Sequence, residues 1–199
     1  MWKVYKSVIV ALVLTVGLSG CGVNNIPTLD EETTAKWSQV LNQFQRRADL
    51  IPNLVEVVKG YASHEKETLT AVVEARSKVS SMTLPKDILT NPEAFKLFQQ
   101  NQGQLSSALS KLMVVVERYP DLKASQNFLA LQSQLEGTEN RIAVARRDYI
   151  EAIKLYNTEI RTFPGRLWVM ILYGDAEVKQ NFSVDNVESI STAPKIKMN

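Results

Sequence analysis

The sequence predicts an all-α fold. It reads as an antiparallel bundle of three long helices, the first kinked or broken at Pro52 (four-helix-bundle-like), followed by a largely irregular C-terminal tail. Three observations predict this. Apolar residues recur at alternating spacings of three and four through three long stretches, as in helices that bury one stripe. Gly (8) and Pro (7) are sparse in a chain of 199 residues, which disfavours a turn-rich β fold. An apolar content of 45% is ordinary for a single domain with one core.

The chain begins with an export signal. Lys3 and Lys6 form a basic n-region, Ser7 to Val16 is mostly apolar, and small residues lead to Cys21, the layout of a secretory leader. Leu18-Ser19-Gly20-Cys21 resembles the bacterial lipobox. That resemblance implies cleavage after residue 20 and lipid on Cys21. The alternative is an uncleaved anchor helix, since Ser7 to Val23 carries no charge and lies at the lower limit for spanning a bilayer. Either way the chain is tied to a membrane, and its first partner is the bilayer. Each buried lipid CH₂ contributes about 0.8 kcal/mol, and two or more acyl chains make attachment stable. Gly22 follows the Cys where an inner-membrane retention signal would have Asp. This points to the periplasmic face of an outer membrane, or to the outer face of the cell membrane where there is only one. Residues 21–32 are polar, contain Pro27 and lack periodicity, and read as a tether.

The bundle is expected over residues 33–165. The first helix runs from about Glu31 to Ser80, with the stripe Trp37, Val40, Phe44, Ile51, Leu54, Val58, Tyr61, Thr68, Val72, Ala75 and Val79. Pro52 removes a donor and crowds the carbonyl four residues back, so a kink is expected at residues 48–52. After a connection, Asn91-Pro92-Glu93 supplies a cap, a first-turn Pro and an acid for the second helix. This carries Phe95, Phe98, Gln102, Leu105, Leu109, Leu112 and Val116 and ends before Pro120. The third helix runs from about Asp121 to Phe163, with one period from Phe128 through Ile142, Tyr149 and Tyr156 to Ile160. That is some 60 Å of helix at about 1.5 Å per residue. Pro164-Gly165 ends it. Residues 166–199 begin with an apolar segment, Arg166 to Tyr173, which could pack on the bundle end, lie in a membrane interface or bind a partner. Leu167, Trp168, Val169, Ile171 and Leu172 are its candidate contact residues. The polar remainder, with short apolar pieces at Asn181-Phe182-Ser183-Val184 and Ile196-Lys197-Met198, reads as irregular.

Charge and rare residues exclude several functions. Lys plus Arg number 23 against 21 for Asp plus Glu. Lys3 and Lys6 account for the difference, so the mature chain is neutral and no nucleic-acid footprint is expected. One Cys and one His exclude an intrachain disulfide framework and a His/Cys metal cluster. His64-Glu65-Lys66-Glu67-Thr68 is not HExxH. Glu136, Glu139 and Asp148 share a helix, but a di-metal bundle site needs Glu-x-x-His on two helices. No catalytic constellation, cofactor, metal or small-molecule substrate is therefore expected.

Four polar residues interrupt the apolar stripes: Arg47, Glu65, Gln102 and Thr138. With the first and third helices parallel, Arg47 lies level with Glu136 or Glu139, and Glu65 lies near Arg146, Arg147 or Lys154. Paired charges on such a seam hold the helices in one register, often at some cost in stability. The functional alternative is a polar groove for a partner. Arg47, Glu65, Glu136, Glu139 and Arg146 are the candidate residues under either reading.

Several motifs together carry a family resemblance. Gln45-Arg46-Arg47-Ala48-Asp49-Leu50-Ile51-Pro52-Asn53-Leu54-Val55 resembles the central signature of the LemA family. Tyr119-Pro120-Asp121-Leu122-Lys123-Ala124, Leu135-Glu136-Gly137-Thr138-Glu139-Asn140-Arg141-Ile142-Ala143, and Ala145-Arg146-Arg147-Asp148-Tyr149 with Tyr156-Asn157 follow in the family's order. The chain departs from the pattern in its lipobox and at Ile150, where members usually carry Asn. The resemblance implies a bundle of long helices beneath an N-terminal membrane anchor and says little about activity. The expected role is a non-catalytic scaffold or adaptor at the cell envelope, with a protein partner or self-association. A self-assembling membrane-organising protein and an accessory subunit of an envelope protease or transporter are its rivals.

Overall fold

The structure, a computed structural model, describes residues 22–182. The leader, Cys21 and the tail beyond Phe182 lie outside the described residues. Every regular element among those described is a helix: α1 (Asn25–Tyr61), α2 (Lys66–Ser80), α3 (Pro92–Val116), α4 (Pro120–Lys123), α5 (Gln126–Glu159) and α6 (Gly165–Ile171). None of them is long and apolar enough to cross a membrane.

The first helix begins earlier than the sequence suggests. Residues 25–32 are helix, not tether. Ile26 is buried with Tyr156 and Ile160, and Leu29 packs on the same cluster, which ties the segment down. Pro27 falls in the first turn, where its missing N–H has no intrahelical partner to lose.

Of the kink or break expected at Pro52, the break does not occur. α1 runs through Pro52 without interruption. A proline at 52 strands the carbonyl of residue 48. Arg76 of α2 donates its Nε–H to that Ala48 carbonyl at 3.0 Å, so the buried acceptor is satisfied. The chain instead reverses at 62–65, where Ala62 leaves the helical region at φ −128°, ψ 49°. Ala62 itself is buried, and burial continues with Leu69, Val72 and Ala75 beyond the turn. The apolar period therefore crosses the reversal, which hides it in the sequence.

This reversal sets the sense of the bundle. α1 and α3 point the same way: Trp37 meets Phe95 and Phe98, and Arg47 meets Gln102 and Ser106. α2 runs back along α3, with Glu65 against Arg118 and Lys78 against Gln104. α5 runs opposite to α1: Ile26 lies by Tyr156 and Ile160, Trp37 by Tyr149, and Arg47 by Glu139. The architecture is an up-down-up-down four-helix bundle. The expected third helix is divided in two, since Ser125 takes an extended conformation, ψ 127°, before α5 begins. The second helix starts as expected, with Asn91 Oδ1 accepting from Ala94 N–H at 3.1 Å.

The four helices do not cover the full length of the bundle. α2 has only 15 residues and lines the half farther from Gly22, the distal half. There Ile51, Leu54, Val58, Val72, Leu105, Leu112 and Leu122 form a mainly aliphatic core, joined by Phe128. In the basal half, irregular chain takes the place of α2. The connection 81–91 inserts Ile88. The tail returns as a strap over 176–182. Lys179 N–H donates to Asn157 Oδ1 at 2.9 Å and Lys179 O accepts from Asn157 Nδ2 at 3.0 Å. Gln180 N–H donates to Leu89 O, and Gln180 O accepts from the Tyr149 hydroxyl. Phe182 packs on the rings of Trp37, Phe95 and Tyr149. The strap's lysine is buried: Lys179 Nζ donates to Thr33 Oγ1 and pairs with Asp30 Oδ1 at 2.6 Å. It also lies 4.7 Å from the Tyr156 ring centroid.

Candidate functional site

α1 packs on α5, and α2 packs on both α1 and α3. α3 and α5 leave a groove between them. Its distal part is a cleft of about 720 Å³ lined by both helices. Leu109, Met113, Phe128 and Leu135 are apolar lining residues, and Glu117, Lys123, Gln132, Glu136, Glu139 and Asn140 supply polar groups. The groove continues basally as a cleft of about 360 Å³ that shares Ser106 and Glu139 and ends at Phe182.

Arg47 reaches into this groove from α1. The helical period places it on the buried stripe between Phe44 and Ile51, and it is only 1% exposed. Its Nη1 donates to Ser106 Oγ and to Glu139 Oε1, both at 2.9 Å. Its Nη2 donates to Gln102 Oε1 and, at 3.3 Å, to Gln102 O. One guanidinium thus ties α1 to both walls of the groove. Its Nε is buried without a partner among the described residues. The carboxylate is on the solvent side, since the Glu139 side chain is 44% exposed. Burying a guanidinium carries a desolvation penalty, and removing its partners is costlier than replacing the whole group by an apolar one.

Of the polar residues singled out in the sequence, the structure brings Arg47 and Glu139 together, with Gln102 and Ser106 from α3. Glu136 does not join them; it accepts from Gln132 Nε2 on the groove rim. Glu65 is not near Arg146. It pairs at the distal end with Arg118 at 2.8 Å and accepts from the Tyr119 hydroxyl at 3.0 Å. This bond, followed by burial and the Glu65 charge, raises the Tyr119 pKa. The mispairing follows from chain sense. With α5 opposite to α1, residues at mid-helix stay level, so Arg47 still finds Glu139, while Glu65 at the end exchanges partners. Thr138 is buried and bonds within α5, to Gln134 O.

Arg146 lies on the basal cleft, with its guanidinium 4.4 Å from the Phe182 ring centroid. Burial, and then the charge of Arg47, hold its pKa below the usual guanidinium value. The basal cleft thus carries two arginines against the single carboxylate of Glu139. No group of three or more His, Cys, Asp or Glu among the described residues could hold a metal.

The apolar segment divides into two faces. Trp168, Val169 and Tyr173, each half-buried, pack on the Ile26–Tyr156–Ile160 cluster, so Trp168 and Val169 lie on the bundle side of the segment. Leu167, Met170, Ile171 and Leu172 are exposed. Met170, absent from the sequence-derived set, is the most exposed of the four at 75%. Its position three residues after Leu167 is the available signal.

The fold and site define a class: an antiparallel helical bundle with a charged tie across an open inter-helix groove. The chain belongs to the LemA family, whose family model matches residues 36–198. Among curated proteins it is similar to the magnetosome proteins MamQ 1 and MamQ 2 of Paramagnetospirillum magneticum. Each is 30% identical over 157 residues, covering 71% of this chain and 58% of the relative. Protein LemA of Metamycoplasma hominis is 33% identical over 119 residues, 60% of this chain and 50% of that protein. The matched part spans a little over half the length of the magnetosome relatives and half of the mycoplasma one.

Proposed function

We propose that this chain is a membrane-anchored, non-catalytic scaffold or adaptor at the bacterial cell envelope, holding a protein partner in the α3–α5 groove. The observation that supports it most is the groove: about 720 Å³, apolar residues with a charged rim, between two neighbouring helices that do not pack closely on each other. Grooves of this kind accept an amphipathic helix or extended segment. Anchoring rests on the leader and on lipid at Cys21. The Arg47–Glu139 tie keeps α1, α3 and α5 in one register so that the groove has a constant shape.

Position-specific cross-linking in intact cells tests this. A photo-reactive residue replaces Ser110 on the groove wall, and a second replaces Thr70, exposed on α2, as a control. The adaptor reading expects one foreign protein linked from position 110, not from 70. The link is lost in Met113→Glu while the melting temperature is kept. Self-linked ladders without a foreign protein overturn it. They would favour the second reading, a self-assembling membrane-organising protein, which the magnetosome relatives and the exposed apolar face of α6 support.

A further inference from the structure

We infer that the outer face of α6 lies in the interface of the bilayer that holds the leader, so that the bundle stands on the membrane at its basal end. The inference rests on the anchoring proposed above and adds a second, structured contact to it.

α6 is apolar on both sides. Leu167, Met170 and Ile171 fall at i, i+3 and i+4 and so share one face. All three are exposed, and Phe163 just before the helix is 80% exposed. The opposite face, with Gly165, Trp168 and Val169, docks on the bundle. Gly165 is needed for that docking, since a Cβ there would come 2.1 Å from the Glu159 carbonyl oxygen. The outward side chains therefore cannot turn inward without undocking the helix. They stand together on a short helix, unlike the exposed Val114 and Leu129 elsewhere on the bundle, and single exposed apolar residues of that kind are ordinary.

The position of Gly22 identifies the occupant. Gly22 is the first described residue, and a Cβ on it would lie 3.8 Å from Pro164 Cγ and 3.9 Å from Trp168 Nε1. The preceding residue is Cys21, and Ser7 to Cys21 carries no charge. Whether a lipid on Cys21 or the uncleaved leader enters the bilayer, it does so next to α6. Two exposed arginines, Arg161 and Arg166, flank the apolar face, where long basic side chains reach headgroups while their stems lie on apolar surface.

The test uses the full chain in vesicles of phosphatidylethanolamine and phosphatidylglycerol that carry a diazirine fatty-acyl probe. After illumination, lipid adducts are mapped on tryptic peptides. Residues 162–166 and 167–179 report α6, and residues 112–118, which contain Val114 at 71% exposure, are the control. Insertion into the interface predicts roughly tenfold more adduct per peptide on 162–166 and 167–179 than on the control, because only the α6 side chains meet acyl chains. Met170→Glu with Ile171→Glu, both at exposed positions, leaves the melting curve in place and removes most of that excess. Equal labelling of the three peptides overturns the inference, as does protein–protein cross-linking at 167–179 in place of lipid adducts. Flotation with the vesicles separates the two claims. A chain that fails to float overturns the anchoring and with it this inference. A chain that floats without α6 adducts overturns this inference alone.

Discussion

The two halves of the bundle solve the same packing problem differently. The distal half closes with four helices around aliphatic side chains, among them Leu54, Val58, Val72, Leu105 and Leu112. The basal half has three helices, and irregular chain fills the fourth position. Its core is aromatic: Trp37 lies 5.6 Å from Phe95, 5.1 Å from Phe98, 5.3 Å from Tyr149 and 6.2 Å from Phe182 between ring centroids. Helix against helix packs well with branched aliphatics at regular spacing. Chain without a period offers no regular ridges, and large rings span the uneven gaps it leaves. The distal half therefore depends on local periodicity, and the basal half on contacts between segments far apart in sequence.

The largest expected effect follows from that difference. Trp37→Ala removes the ring that meets Phe95, Phe98, Tyr149 and Phe182 and should cost about 3–5 kcal/mol. Leu105→Ala, fully buried in the distal half, should cost about 3 kcal/mol. Urea unfolding gives both values. Native-state hydrogen exchange then shows whether Trp37→Ala opens 81–91 and 176–182 before α2 and α3. Uniform loss of protection would mean that the halves are one cooperative unit and that the distinction has no energetic content.

The same contrast explains what can be read from the sequence. Helical stripes identify α3, most of α1 and α5, and the residues of the distal core, because one-dimensional spacing is the cause of that packing. The reversal at 62–65 stays hidden because Ala62, Leu69 and Val72 keep an apolar rhythm across it, while Pro52 looks like the break. What rescues α1 there is Arg76, 24 positions away in the chain, and no local pattern reports it. The strap escapes for the same reason. Residues 176–182 have no period, and the partners of Lys179 and Gln180, namely Asn157, Leu89 and Tyr149, lie far away in the chain. Arg47 is visible as an interruption of a stripe, and Glu139 because mid-helix residues stay level in either chain sense. The sense itself, and with it the true partners of Glu65, requires the reversal to be placed.

The next prediction concerns the tie between the halves. Arg47→Ala leaves Gln102, Ser106 and Glu139 without their common donor and opens a cavity, at a cost of about 3 kcal/mol. Arg47→Met fills the space and removes the buried charge, so its stability should equal or exceed that of the parent. A loss of more than about 1 kcal/mol in Arg47→Met would show that the ion pair itself stabilises the fold beyond its desolvation cost. If Arg47→Met melts normally but loses the cross-link at Ser110, Arg47 contacts the partner and does not act only as a register device.

A smaller effect isolates the strap. Phe182 is half-buried, so Phe182→Ala should cost about 2 kcal/mol, less than a fully enclosed ring. The loss should appear in the basal half alone. Hydrogen exchange at Lys179 and Gln180, whose amides bond to Asn157 and Leu89, should quicken, with α2 unchanged. Arg146, which lies over the Phe182 ring, should become more accessible to guanidinium-modifying reagents. Unchanged exchange at 179 and 180 would mean that the hydrogen bonds to Asn157, Leu89 and Tyr149 hold the strap without the ring.

The smallest effect tests the distal half at its least regular point. Arg76→Met removes the donor to the Ala48 carbonyl, which lies on a buried turn of α1. An unsatisfied buried acceptor costs about 1–3 kcal/mol. The lower end applies because Arg76 is itself half-exposed and a water can replace it. Pro52→Ala restores an N–H that can bond to the same carbonyl four residues back. In that background Arg76→Met should cost no more than a few tenths of a kcal/mol, giving a coupling of about 1 kcal/mol in the double-mutant cycle. Additive losses would place the value of Arg76 elsewhere, in its contacts along α2, and would leave the continuity of α1 through Pro52 to packing by Ile51, Leu54 and Val55 alone.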